Sequence, residues 1–511
     1  MNTFRSTMAS LIPILAQLAA VSLVIRVVYL CYFHPLARYP GPFWARFTNL
    51  WRFLTFLGGH HHLSEQQLHE KYGRVVRVAP DWLSFSSLED FDAIYGFNKS
   101  VEKGDFFTFG RGSSQREASI FSTKSNSLHR QKKRKVFGPA LSSAKVGKYE
   151  SVITKHVVVL LSRLESSRRP ADDRIAAVNV APLMSQFALD TMLEILFGPA
   201  VASHPYTDSA VAGDICSQLR KMTKTAWSFS LWPVYGWVMN SRPVNALPRR
   251  PAYQEKGVPT GMAGLMAAGH ISIMQNPESI ARTLQPGIVK SWLEVPVDDA
   301  NRMTQGEVLA EAMNMVFAGP GSIAAAVTAI VYQLGLKEGQ FWQGKLRKEA
   351  VPFDNTMAAS IPLELQAVIK ETIRLRAVFP TAFPRVIQPG AERVIPSLSS
   401  PLPVGTTVSA NTYVLGRSRE LWGDDVDEWN PQRWLGDDEH RRQMETKFVA
   451  FSKGPRGCIG RDLALLVLAK AVMALLQQWQ IRSVGQLEGR SWLEMQYDDC
   501  WLELDRLNPA W

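Results

Sequence analysis

Apolar and polar positions divide the chain into a few long runs of distinct period. Thr7–Ile25 is almost wholly apolar and uncharged, and the pattern resumes from Val27 to Phe33. Roughly twenty such residues cross a bilayer. His34–Pro42 (HPLARYPGP) is broken by prolines, which cannot continue a helix. Tyr72–Pro80, with Val75, Val76 and Val78, predicts a β-strand, and Trp82–Phe85 a partner for it. From about Lys148 to Arg302 the pattern is helical, with Met192–Phe197 as core and Ser228–Pro259 as loop. Thr304 and Glu307 form a capping box. The helix they start is apolar nearly all round to about Leu336, which predicts burial. In its middle, Ala318-Gly319-Pro320-Gly321-Ser322 should break or kink it. Leu363–Arg376 sets Leu365, Val368, Ile369 and Ile373 on one helical face. Thr407–Val414 predicts a strand, and Leu463–Leu476 a further apolar helix.

Charge and cysteine content narrow the class. The formal net charge is +11, which favours anionic membranes or acidic partners. No nucleic-acid motif accompanies it. Cys31, Cys216, Cys458 and Cys500 show no paired spacing, so neither a disulfide framework nor a zinc site is indicated. Arg5 precedes the apolar run, whereas Arg38, Arg46 and Arg52 follow it, which puts the body of the chain in the cytosol. The competing reading of the run is a cleaved secretory signal. His60, His61 and His62 are read as a solvated loop, because consecutive residues do not share a helix face.

The richest chemistry lies in Phe451–Gly460, FSKGPRGCIG. Cys458 precedes an apolar helix, whose N-terminal N–H groups and dipole favour a thiolate. Gly454 and Gly457 permit a tight loop. Gly460 removes a side chain where a flat cofactor would approach, and Arg456 adds a cation suited to an anionic group. A lone cysteine read without this setting is a buried small hydrophobe. Phe451, Gly454, Arg456, Cys458 and Gly460 together fill the pattern Phe-x-x-Gly-x-Arg-x-Cys-x-Gly. The segment resembles the haem-binding signature of the cytochrome P450 family. The resemblance implies that Cys458 is the axial thiolate of haem b iron, and that Arg456 meets a propionate.

Other segments resemble the family in its order. Ala318 and Gly319 match the start of its oxygen-binding helix motif, with Gly321 where an acid belongs and Ser322 where a threonine belongs. Gly319, Gly321 and Ser322 are therefore the catalytic candidates, and the carboxylate of the usual proton relay is expected to be missing. Glu371 and Arg374 match Glu-x-x-Arg, and Arg433 in Asn430–Trp434 completes an implied buried structural triad. Counting back from Pro139, Arg134 in the basic run HRQKKRK matches a propionate-binding arginine, although Arg130 stands where a tryptophan is usual. Arg385 matches another, with Phe383 lining the pocket. Lys132, Lys133 and Lys135, with Lys453, Arg456 and Arg461, are expected to form an electron-receiving face.

The resemblance implies a mainly α fold with a smaller β-rich lobe. It divides the chain into a transmembrane anchor (7–33), a proline-rich hinge (34–42) and a haem-thiolate catalytic domain (43–511). The hinge resembles that of microsomal, especially fungal, members. The implied function is NADPH- and O2-dependent hydroxylation of a lipophilic small molecule, in fungal secondary metabolism. Electrons would come through a flavoprotein, NADPH–cytochrome P450 reductase, with cytochrome b5 as a further donor. The implied site is the endoplasmic reticulum membrane, single-pass, with the catalytic domain cytosolic. The alternative suggested by Gly321 is oxidative rearrangement, ring expansion or desaturation without net oxygen insertion. A haem-binding sensor or scaffold is the rival from another class.

Overall fold

A computed structural model describes residues 2–97, 101–110, 117–167, 177–199, 209–232, 234, 261–274, 277–282, 285–348, 357, 360–390 and 395–507. Most of the predicted loop Ser228–Pro259 lies outside them, but Ser228–Ser230 close a helix instead. In chain order the elements that matter here begin with helix α1 (Asn2–Val28), α2 (Leu50–Gly58) and α3 (His61–Tyr72). Strands β1 (Val75–Ala79) and β2 (Trp82–Phe85) follow, then α4 (Leu88–Tyr95), β3 (Val101–Lys103), α5 (Asn126–Ala140) and α6 (Glu150–Ser167). After β4 (Val178–Asn179) come α7 (Ala181–Phe197), α8 (Ser209–Ser230), α9 (Gln305–Gly335) and α10 (Leu363–Leu375). The last part holds β5 (Arg385–Ile387), β6 (Thr407–Ala410), α11 (Arg461–Gln478), β7 (Trp479–Val484), β8 (Gly489–Ser491), β9 (Met495–Tyr497) and β10 (Trp501–Arg506).

The chain is mostly helical with some sheet. The main core lies between α6, α7, α9, α10 and α11. α9 begins at the expected cap: Thr304 Oγ1 accepts from the Glu307 N–H at 3.1 Å, and the Thr304 N–H donates to Glu307 Oε2 at 3.0 Å. α11 is buried nearly all round, and its one interior charge, Lys470, meets Glu150 of α6 at 3.0 Å. An unpaired ammonium there would carry several kcal/mol of desolvation.

The five-stranded sheet runs β1-β2-β6-β5-β3, with β2 and β6 parallel and the other neighbours antiparallel. β6 is shorter than the expected Thr407–Val414, because the Asn411 side chain accepts from the Tyr413 N–H and caps a helical turn over Thr412–Gly416. A second sheet is β4-β10-β7, and β8 and β9 form a hairpin.

α1 runs into a π-helical turn at Tyr29–Phe33, and Pro13–Phe33 is apolar, exposed and long enough to cross a membrane. The proline-rich segment behind it is pressed onto β1. Arg77 donates to the Leu30 carbonyl at 3.1 Å, and a Cβ on Gly41 would sit 2.1 Å from the Arg77 carbonyl oxygen. The histidine run is not a solvated loop. His61 and His62 are buried in the first turn of α3, and His61 stacks on Phe56 at 3.8 Å. Neutral imidazoles pack there as flat hydrophobes.

Candidate functional site

The loop before α11 is held by backbone. The Cys458 N–H donates to the Phe451 carbonyl at 2.8 Å, and the Gly460 carbonyl accepts from Ala464 at 2.8 Å in the first turn of the helix. Ser452 and Gly454 both have positive φ, 58° and 66°. Gly454 has a second reason to be glycine, since a Cβ there would lie 2.5 Å from the Tyr95 carbonyl oxygen. Cys458 thus stands just ahead of the helix N-terminus with an accessible side chain. Protein around it still pushes its thiol up by desolvation, opposed by the Gly460 N–H and Arg461. Exposure and desolvation together describe a cysteine on the wall of a recess. A Cβ at Gly460 would meet nothing within 4 Å, so this glycine opens space that a flat group can enter.

Around this loop lies a cluster of bases, of which Arg456 is half-buried and Arg385, Lys103 and His129 are buried. Arg456 donates to the Thr123 carbonyl at 2.9 Å and to Asn126 Oδ1 at 2.9 and 3.1 Å. Burial, then Arg385, push its pKa down to about 9. Arg385, 5 % exposed, is pushed down to about 10 by burial. Lys103 donates to the Phe121 carbonyl at 2.6 Å and is lowered well below its ordinary value by burial, then Arg456 and Arg385. His129 is lowered to about 2 by burial and the charges of Arg456, Lys103, Lys133 and Arg385. Four bases held in one another's field fit a group with more than one negative charge, such as the two propionates of haem.

Lys103 and His129 were missed in the sequence because neither belongs to the resembling motifs. Arg134 is displaced in the other direction. On α5, His129 and Lys133 are one turn apart and face the loop, and Lys133 donates to the Pro455 carbonyl at 3.0 Å. Arg134 lies a further 100° round the helix and is exposed. Of the two, Lys133 is the one in contact with the Cys458 loop.

The break expected in α9 is absent. The helix continues through Pro320, and Ser322 Oγ donates back to the carbonyls of Ala318 at 2.7 Å and Gly319 at 3.0 Å. Gly319 is a packing glycine: a Cβ would lie 2.7 Å from Met192 Cε on α7. Gly321 is more informative. A Cβ there would lie 3.0 Å from Glu494 Oε1, in the turn between β8 and β9. The helix itself carries no carboxylate at this position, as expected, but the Glu494 side chain from elsewhere in the chain lies beside it. Glu494 is buried, and burial raises its pKa. It borders a cavity of about 50 Å³ with Gly321, Arg220, Thr223 and Thr328, large enough for water.

Glu371, Arg374 and Arg433 come together. Arg374 grips both Glu371 oxygens, at 2.8 and 2.9 Å, and spends its remaining N–H groups on the carbonyls of Gly416, Val426 and Glu428. Arg433 Nε donates to Glu371 Oε1 at 2.9 Å and the Arg433 fork closes on Asp425. Trp434 Nε1 and the Asn430 N–H complete the carboxylate's shell at 2.9 and 3.0 Å. Trp434 was not foreseen as a partner. The expected electron-receiving cations are largely engaged already: Lys132 and Lys135 with Glu307, Lys453 with Asp92, and Arg461 with Asp462.

The family model for Cytochrome P450 matches residues 39–242 and 277–489. The chain is 28 % identical over 484 residues to a benzoate 4-monooxygenase of Aspergillus niger, covering 88 % of this chain and 89 % of that one. It is 27 % identical over 497 residues to a cytochrome P450 monooxygenase, pkfB, of Emericella nidulans, covering 94 % and 92 %. It is 26 % identical over 495 residues to the cytochrome P450 monooxygenase mpaDE of Penicillium roqueforti, covering 92 % of this chain but only 55 % of that longer protein.

Proposed function

Because the chain belongs to the cytochrome P450 family, and so to the haem-dependent oxidoreductases, we propose that it hydroxylates a lipophilic small molecule, with Cys458 as the haem ligand. The observation that carries this reading is Cys458 at a helix N-terminus beside a recess, with half-buried Arg456 and buried Arg385, Lys103 and His129 gathered next to it. Haem, when bound, supplies the activation of dioxygen, and its thiolate ligand favours O–O cleavage. The chain's own residues do the rest. The Cys458 loop orients the ligand sulfur, the basic cluster neutralises propionates, and Gly460 leaves room for the ring edge. Phe106, Phe107, Phe121, Trp227 and Phe383 form an apolar wall suited to a lipophilic substrate. Ser322 and the cavity beside Gly321 hold the route by which protons arrive.

The reading extends to an N-terminal anchor in the endoplasmic reticulum membrane, supported by the exposed apolar helix Pro13–Phe33. It also includes electrons from NADPH through a flavoprotein reductase, and work in fungal specialised metabolism, supported by the fungal sources of the relatives. The rearranging or desaturating alternative was suggested by Gly321 standing where an acid is usual; Glu494 beside Gly321 supports hydroxylation over it. The test is to compare metabolites of a host with and without the gene under labelled dioxygen. A product carrying one labelled oxygen supports hydroxylation. An isomer, or a loss of two hydrogens, supports the alternative.

A further inference from the structure

Glu494 is a carboxyl in an unusual place. It sits in a hairpin turn, 7 % exposed, and it points at a glycine of the longest helix. Its side-chain oxygen accepts a long hydrogen bond from Gln496 Nε2, 3.3 Å. Its other hydrogen-bond partner is its own backbone N–H, so the buried carboxyl is held only from within its own turn and strand. The position it occupies is the volume that a side chain on residue 321 would need. The two positions crowd each other, since a Cβ at 321 would lie 3.0 Å from Oε1, 3.3 Å from Cγ and 3.4 Å from Cδ of Glu494, and the carboxyl would have to shift by a few tenths of an ångström.

We infer that Glu494 is the acid that feeds protons to the dioxygen-activating notch of α9, standing in from the β8–β9 turn for a carboxylate that the helix itself lacks. The inference rests on the monooxygenase reading above. Its surroundings suit the task. The 50 Å³ cavity bordered by Glu494, Thr223 and Thr328 is large enough and polar enough to take a water that could pass a proton along. A wider recess of about 390 Å³ shares Arg220, Ser185 and Gln496 with it and leads outward. Arg220 is tied to Asp498 at 3.0 Å and to Ser185 Oγ at 2.9 Å, so it fixes the wall between the two spaces. The other titratable groups facing Glu494 are unsuited to proton delivery near neutrality. Burial pushes Cys216 on α8 up to about 11 and Tyr497 on β9 up to about 12. Burial raises Glu494 itself, which keeps a proton available for donation.

The balance is simple. Each turnover takes one O2, two electrons from the reductase and two protons, and gives one C–OH and one water. For each of the two protons in turn, the carboxyl O–H of Glu494 would break as an O–H bond forms on water in the adjoining cavity, which would pass one of its own protons on toward the notch. The carboxylate then regains its proton from solvent through the outer recess, so Glu494 is unchanged over a cycle.

The experiment uses the full chain in membranes with a reductase. Glu494→Gln keeps shape and burial but cannot donate in the same way. Product formed per electron is expected to fall about a hundredfold, the low end for a positioned acid, with electrons diverted to hydrogen peroxide. The haem-thiolate spectrum and the substrate-binding shift should stay as in the parent. Infrared spectra should show a protonated-carboxyl band in the parent that Glu494→Gln removes. The exchange Gly321→Asp with Glu494→Ala should restore most of the coupling, and it decides the matter where Glu494→Gln fails to fold. Full coupling in Glu494→Gln overturns the proposal, and so does a change in substrate affinity alone. A parent chain that binds no haem overturns the monooxygenase reading itself.

Discussion

Arg433 Nε donates to Glu371 Oε1 at 2.9 Å across 62 residues of chain, so one carboxylate ties α10 to the segment that leads towards the Cys458 loop. Glu371 is fully buried and every one of its partners is a donor. Such a network is stable only when complete.

Glu371→Ala therefore leaves Arg374 and the inner face of Arg433 buried without their anion. The expected cost is about 3–5 kcal/mol. Haem content per polypeptide in purified membranes should fall close to zero. A variant that accumulates with full haem content would contradict this role.

The basic cluster makes a separate prediction. Arg456→Gln removes a charge-assisted contact to an anionic group, worth about 1.5–3 kcal/mol. Haem should leave the variant roughly ten- to a hundredfold faster, as followed by transfer to an acceptor protein. His129→Leu should do less, because its imidazole is held neutral by burial and by Arg456. Equal haem retention in Arg456→Gln and the parent would refute the assignment.

The buried histidines predict a pH dependence. His62 is lowered from 6.5 to about 3 by burial, then by Arg417 and His60. Its folded pKa is below its unfolded one, so the unfolded chain binds more protons between those values. Stability is then present in full above about pH 6.5 and is lost as pH falls towards 3. His62→Phe should flatten that slope in denaturant titrations run across the window. An unchanged slope would show that His62 is not the group responsible.

The anchor can be divided. Truncation after Val28 keeps the Leu30 carbonyl that Arg77 grips, whereas truncation through Phe33 removes it. The first should release the protein from the membrane fraction at little cost in stability. The second should also lower its unfolding temperature. Equal stability of the two would argue against the Arg77 contact.

Much of this was legible in the residues. The capping box, the Cys458 loop and the Glu371 triad are local or motif-based, and fixed spacing carries them. What was not legible depends on contacts between distant segments. Glu494 is 173 positions from Gly321 and belongs to no helix pattern, so the notch read as empty of acid. Lys103 is in a three-residue strand, and its burial follows from β3 pairing with β5. His61 and His62 read as a loop because consecutive residues do not share a helix face, whereas both are buried in one turn, where Phe56 and Tyr413 enclose neutral rings. Arg134 is exposed while its neighbour Lys133 reaches the Cys458 loop, because one residue on a helix is a 100° turn.

The central claim is that Cys458 is the haem thiolate. The most direct measurement is the spectrum of the reduced, carbon monoxide-bound protein, for the parent and for Cys458→Ser. The parent should show the red-shifted Soret band of a thiolate-ligated adduct, and Cys458→Ser should lose it. A Cys458→Ser protein that kept that band would contradict the claim.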